Sequence, residues 1–459
     1  MNNKTTSATM QKKQGNIVAI IAMFFLFAMI SFVTNLAAPL GTIWKNNYDW
    51  SGMVGNFMNF FAYLIMGIPA GTMLVRIGYK KTALWAMAIG AIGIFFQYLS
   101  GIVGADTPTF SVGGVPVMLN FLIYLLGAFI CGFCVCMLNT VVNPMLNLLG
   151  GGGNKGNQLI QLGGSLNSLA GTLTPLFVGM LIGAVTKDTS ISDVSPLLWI
   201  AMAVFVVAFF IISFVSIPEP HIRKKGEGKV KYSHSAWSFR HTVLGVIGIF
   251  FYVGIEVGIP GVLIFYLSDS SVSGITNNAT AVACAVAAIY WLLMLVGRLS
   301  SSVISGKVSS RTQLICVSAT AIVLIVLAIF MPNSIRVSMP AYSVGEGFNL
   351  AQVPISALFL VLCGHCTSIM WGSIFNLAVE GLGKYTAQAS GIFMMMVVGG
   401  GVMPLLQNAI ADSVSYMASY WLVVAMLAYL LYYALVGSKN VNKNIPVDES
   451  EEEKIPDAV

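Results

Sequence analysis

The chain has 459 residues, 57% of them hydrophobic and only 9% charged, a balance that excludes a water-soluble globular domain and points to a polytopic membrane protein. Its formal net charge of +6 is scattered over short connecting segments. The largest basic group, Arg223, Lys224, Lys225, Lys229 and Lys231, reads as a sidedness signal at a lipid surface and not as a nucleic-acid footprint.

The polar start, with Lys12 and Lys13, precedes an apolar run too long for a signal core and without a clear cleavage site, so that run is expected to stay in the mature chain. Apolar runs of roughly 20 residues, enough to cross a hydrocarbon core about 30 Å thick, begin near Ile17, Met53, Thr82, Leu119, Gly156 and Leu197. Six more begin near Thr242, Ala279, Leu314, Ile355, Ala387 and Ala418. The predicted organisation is an all-α membrane protein of twelve transmembrane helices. A first six-helix bundle spans 1–217, a Pro-, Gly- and charge-rich linker 218–238, a second six-helix bundle 239–438, and a disordered acidic tail 439–459.

With the connecting segments alternating between two compartments, all but three of the 23 Lys and Arg residues fall on the side of both chain ends; the exceptions are Lys45, Lys187 and Arg336. Cytoplasmic loops accumulate basic residues, so both termini are expected in the cytoplasm, with the protein multi-pass in the cell (inner) membrane. The seven cysteines all lie in apolar runs, where Cys acts as a small packing residue. Cys363-Gly-His-Cys366 therefore reads as packing despite its dithiol spacing.

The two halves echo one another. Gly71 to Lys81, between spans 2 and 3, contains Arg76, Gly78 and Lys80; Gly297-Arg298, Gly306-Lys307 and Arg311 stand at the same place in the second half. Small residues let helices approach closely, and basic residues can hold helix ends or carboxylates. Gly71, Arg76, Gly78, Lys80, Arg298 and Lys307 are therefore the candidate cytoplasmic gate; the alternative is that they only obey topology. Parallel six-span repeats joined by a central loop describe a secondary transporter.

Ionisable groups deep in a membrane are costly, so each needs a reason. Glu256 is the acidic residue nearest the middle of a span; Tyr252 sits one turn before it, and Gly258 and Pro260 after it invite a bend. Its carboxyl can carry a coupling proton, accept hydrogen bonds from a hydroxyl-rich solute, or pair with a buried cation. In span 4, Asn139 and Asn143 lie on one helical stripe with Asn147, and carboxamides donate and accept without imposing charge. In span 10, His365, Ser368, Gly372 and Asn376 share a stripe beside Trp371, whose ring can stack on a sugar. Asn35, Asn59, Asn167, Gln407 and Asn408 add polar groups in spans 1, 2, 5 and 11. The competing reading for each is helix–helix adhesion or packing. The set expected to bind substrate is Asn35, Asn139, Asn143, Asn167, Tyr252, Glu256, His365, Trp371, Asn376, Gln407 and Asn408.

Several motifs stand in order: Pro69-Ala-Gly71 through Arg76-Ile-Gly78-Tyr-Lys80, Asn139-Thr-Val-Val-Asn143-Pro144, Leu166-Asn-Ser168 and Tyr252-Val-Gly-Ile-Glu256. Ile374-Phe-Asn-Leu377, Gly381-Leu-Gly383, Gly399-Gly-Gly401 with Pro404, and Ala411-Asp412 complete the set. Together they resemble the major facilitator superfamily, and within it the fucose–galactose–glucose:proton symporter branch. The resemblance implies the major facilitator fold, with two pseudo-symmetric bundles, and alternating-access carriage of a monosaccharide or related sugar, with a proton as partner. Two family acids are replaced, by Ala38 in span 1 and Asn139 in span 4. That leaves an uncoupled or sodium-linked carrier, or one for nucleosides, amino sugars or cell-wall sugar fragments, as alternatives; a non-transporting membrane sensor is the reading from another class. The chain has no phosphate-binding loop ending in Lys-Ser or Lys-Thr and no constellation of a hydrolase or metal centre, so no enzyme activity, cofactor, metal or nucleic-acid partner is expected.

Overall fold

Backbone polar groups find no partner in hydrocarbon, so a chain this apolar must close its hydrogen bonds within each crossing, and it does so as helices. The computed structural model describes residues 2–150, 153–182, 189–219, 234–304, 308–442 and 444–447. The first half contains α1 (Asn2–Asn47), α2 (Val54–Ile77), α3 (Tyr79–Leu99), the strands β1 (Pro108–Val112) and β2 (Val115–Met118), α4 (Leu119–Leu149), α5 (Gly153–Ile182) and α6 (Ser195–Phe214). The second half opens with α7 (Arg240–Ser268), a short α8 (Ser270–Ser273), α9 (Ala279–Ile304) and α10 (Ser310–Phe330). It continues through β3 (Arg336–Ser343), β4 (Gly347–Pro354), α11 (Ile355–Thr367), α12 (Met370–Val379), α13 (Thr386–Met396), α14 (Gly399–Ser413) and α15 (Tyr416–Tyr432).

Among the described residues, eleven segments are long and apolar enough to cross a bilayer; α11 with α12 makes one crossing, and Gly391–Ser413, the end of α13 with α14, makes the next. The twelfth crossing is α5, 30 residues long but diluted by Gln161, Ser165, Asn167, Ser168, Thr172 and Thr174. These polar residues are tolerated because α5 packs between α1, α4 and α9. With twelve crossings, both chain ends lie on one face, here the terminal face.

The opposite, hairpin face carries two antiparallel β-hairpins, β1–β2 and β3–β4, at the same position in each half. Neither follows from hydropathy. The first turns on Gly113 and Gly114, at φ 59° and 84°, the left-handed pair that a two-residue turn matched to strand twist requires. The cysteines pack as expected: all seven are free, and all but Cys316 are buried. Between α11 and α12 the helix breaks at Ser368–Ile369, and between α13 and α14 at Val397–Val398. At the second break Gly399 lies directly against the carbonyl of Phe250 on α7, and a Cβ on Gly401 would sit 2.8 Å from Phe60 of α2.

Candidate functional site at the bundle seam

The two bundles meet along α5 and α9, which run antiparallel. Gly164, Gly171 and Gly179 recur every seven or eight residues on α5, two helical turns apart, and so form one stripe. Opposite them stand Arg298, Trp291 and Cys284, spaced by seven on α9. An added Cβ would lie 2.7 Å from Cys284 at Gly179, 3.1 Å from the Trp291 ring at Gly171 and 3.4 Å from Arg298 Nη1 at Gly164. Glycine lets the helices touch; the stripe ends, toward the terminal face, in a charge.

That charge is Arg298. Its Nη1 donates to the Gly164 carbonyl of the first bundle at 2.5 Å, and its Nη2 donates to Glu256 Oε1 of the second bundle at 3.2 Å. Both side chains are largely shielded, at 11% and 14% exposure. Removing an ion from water is expensive, and the pair survives because each charge answers the other and the fork's second arm has a carbonyl. The Tyr252 phenol lies beside both members, and its ring sits 6.1 Å from Trp371. From the first bundle, Tyr63 lies within electrostatic reach of Glu256, and its hydroxyl accepts from Asn139 Nδ2 at 2.7 Å. Asn143 donates in turn to the Asn139 carbonyl at 3.0 Å. Gln161 of α5 reaches across to α12, its amide nitrogen 2.9 Å from where a Cβ on Gly372 would stand. One buried ion pair thus lies among phenols, carboxamides and an indole from both bundles.

Nearer the hairpin face the bundles are clasped. Lys45, at the end of α1, donates to Asp412 at 2.5 Å and to Asn408 Oδ1 at 3.1 Å, both on α14. Asn408 Nδ2 donates to the other Asp412 oxygen at 2.7 Å. The ammonium also stands 5.0 Å from the Phe265 ring and 5.6 Å from the Tyr416 ring, within range of cation–π attraction. Below it Asn56 of α2 donates to the Gly400 carbonyl at 2.8 Å.

A family model described as Major Facilitator Superfamily matches residues 20–403. The chain belongs to that superfamily. A glucose/galactose transporter of Brucella abortus biovar 1 (strain 9-941) is 30% identical to this superfamily member over 450 residues, covering 95% of this chain and 97% of the relative. An L-fucose-proton symporter of Escherichia coli (strain K12) is 21% identical, covering 90% of each. The solved structure of the superfamily transporter FucP in the outward conformation superposes with a TM-score of 0.65 at 18% identity, over 93% of this chain and 100% of that one. The fold is thus that of the superfamily.

Of the residues expected from sequence, the superfamily fold brings Asn139, Asn143, Tyr252, Glu256 and Trp371 together. Asn35 lies toward the hairpin face, donating to the Ser31 carbonyl at 2.9 Å, and with Thr34, Ala38, Asn56 and Trp291 it lines a cavity of about 20 Å³, room for one water. Asn167 ties α5 to α1 through the Phe27 carbonyl at 3.1 Å. Gln407 is fully buried beside Gly258 with both amide atoms unpartnered. His365 and Asn376 are exposed, and the contacts described for His365 are those of its backbone carbonyl. Asn408 departs from expectation: it belongs to the hairpin-face clasp, not to the central cluster.

The gate set divides likewise. Arg298 turns inward to Glu256, because a long side chain near a helix end reaches a shielded carboxylate, and the carboxyl is thus paired with a cation. Gly71 faces open space and Arg76 is exposed. Lys80 donates to the Ser213 carbonyl of its own bundle at 2.7 Å. Gly78, at φ 88°, lets the chain turn so that Glu219 caps α3 at the amides of Tyr79 and Lys80, at 2.6 and 2.9 Å. Lys307 lies outside the described residues. Sequence reasoning missed Tyr63, Gln161, Gly164, Lys45 and Asp412 as contact makers; the one visible signal was the glycine spacing on α5.

Proposed function

We propose that this superfamily member carries a monosaccharide of the glucose or galactose kind across the cytoplasmic membrane by alternating access, coupled to a proton through Glu256. The observation that carries the reading is the Glu256–Arg298 pair, largely shielded at the seam the bundles must rearrange. A proton neutralises the carboxylate without needing extra room, whereas a sodium ion at the same oxygen would meet the guanidinium already there. Neighbouring phenols, carboxamides and the Trp371 ring suit a ligand with hydroxyls on its rim and an apolar face. The names of the relatives support the sugar class. Both termini then face the cytoplasm of the inner membrane, the linker joins bundles 1–217 and 239–438 on that side, and Gly71, Arg76, Gly78 and Lys80 belong to the cytoplasmic gate.

The test is uptake into proteoliposomes with the proton and sodium gradients collapsed separately, beside sugar counterflow. The wild-type protein accumulates sugar only with the proton gradient, and Glu256→Gln keeps counterflow but no longer accumulates. A Glu256→Gln protein that still concentrates sugar against a gradient rules the coupling out.

A further inference from the structure

Arg298 is the only side chain described at the seam whose two donor arms reach opposite bundles, one through Glu256 on α7 and one through the Gly164 carbonyl on α5. It also ends the glycine stripe on the side of the terminal face. We propose that Arg298 is a positioning residue through which the charge on Glu256 sets the spacing of the two bundles. This rests on the proton-coupling reading above and deepens it.

The argument is geometric. With Glu256 ionised, the guanidinium is fixed in its plane by the carboxylate, which aims Nη1 at the carbonyl across the seam; a fork held at one tine keeps the other in place. Once Glu256 is neutral, Arg298 loses its counterion in a shielded site and must seek another partner or water, and the interbundle hydrogen bond loses its support. The ionisable groups facing Glu256 are Tyr252 on its own helix, Arg298 and Tyr290 on α9 and Tyr63 on α2. Of these groups the carboxylate is the one whose loss of charge strands Arg298.

Spin labels on Gly71→Cys and Gly391→Cys report the spacing. Both positions face open space, one turn beyond the point where Gly67 and Met395 bring α2 and α13 together. Cys316, the one exposed cysteine, is replaced first. In full-length protein in liposomes, the wild-type distance distribution shifts as the pH falls from about 8 to about 5. In Glu256→Gln and in Arg298→Gln the distribution is the same at both ends. Removing one charge strands the other, so two further proteins guard against misfolding. The double variant Glu256→Gln/Arg298→Gln leaves no stranded charge, and Gly164→Leu pushes the guanidinium away from the carbonyl while keeping both charges. Both are expected to lose the shift. If Arg298→Gln or Gly164→Leu keeps the full shift while Glu256→Gln abolishes it, Arg298 is not the link and coupling through Glu256 stands. If Glu256→Gln itself or the double variant keeps the shift, the coupling reading falls with it.

Discussion

Replacing Asp412 with asparagine removes one charge from the hairpin-face clasp and keeps its shape. Lys45 retains Asn408 at 3.1 Å and the two rings at 5.0 and 5.6 Å, but the partner at 2.5 Å becomes neutral. A hydrogen bond to a charged group contributes about 1.5–3 kcal/mol. The two side chains are 17% and 27% exposed, and solvent screening brings the expected loss to about 1–2 kcal/mol. About 1.4 kcal/mol is a factor of ten, so the population open at the hairpin face should rise roughly 5- to 30-fold. Ala38 lines the small cavity beneath the clasp and is half-buried, so an Ala38→Cys label is the reporter. Its reaction with an impermeant maleimide added from the hairpin side should accelerate by the same factor in Asp412→Asn. The charge-swapped protein, Lys45→Asp with Asp412→Lys, should return toward the slow rate. A rate within twofold of the unsubstituted clasp would refute the reasoning.

Two further outcomes follow from packing. Gln407→Leu removes a buried amide whose two polar atoms have no partner, which costs about 1–3 kcal/mol to bury; the variant should unfold at a higher temperature while transporting sugar more slowly, and a lowered midpoint contradicts this. Gly399→Ala drives a methyl into the Phe250 carbonyl at the break between α13 and α14 and should cost about 1–3 kcal/mol, seen as a lower unfolding midpoint. An unchanged midpoint there means the helices do not touch as described.

Crossings were legible because length and hydropathy are local properties, and α5 shows their limit. Its apolar run is legible from Gly156 onward, but the amides and hydroxyls within that run do not say which helices will cover them. The polar stripe of Asn139 and Asn143 was legible from helical phase. The partner of Glu256 was not. Arg298 is 42 positions away and sits near a helix end, where a basic residue reads equally well as a topology mark. Only the tertiary packing of α7 against α9 decides between these. Lys45 was hidden for the same reason: as an exception to the basic-residue asymmetry it looks like noise, and its meaning lies in Asp412, 367 residues on. His365 and Asn376 share the phase of Gly372, but phase cannot say which part of a stripe is covered.

The polarity of α5 bears on how the protein is made. A nascent segment with so many amides and hydroxyls partitions weakly from the translocon into lipid when it stands alone. Its insertion must wait for, or be helped by, apolar neighbours already resident in the bilayer, and α1 and α4 emerge from the ribosome in time to serve. The same amides and hydroxyls that are covered by neighbouring helices in the finished fold therefore make this crossing dependent on the order of synthesis.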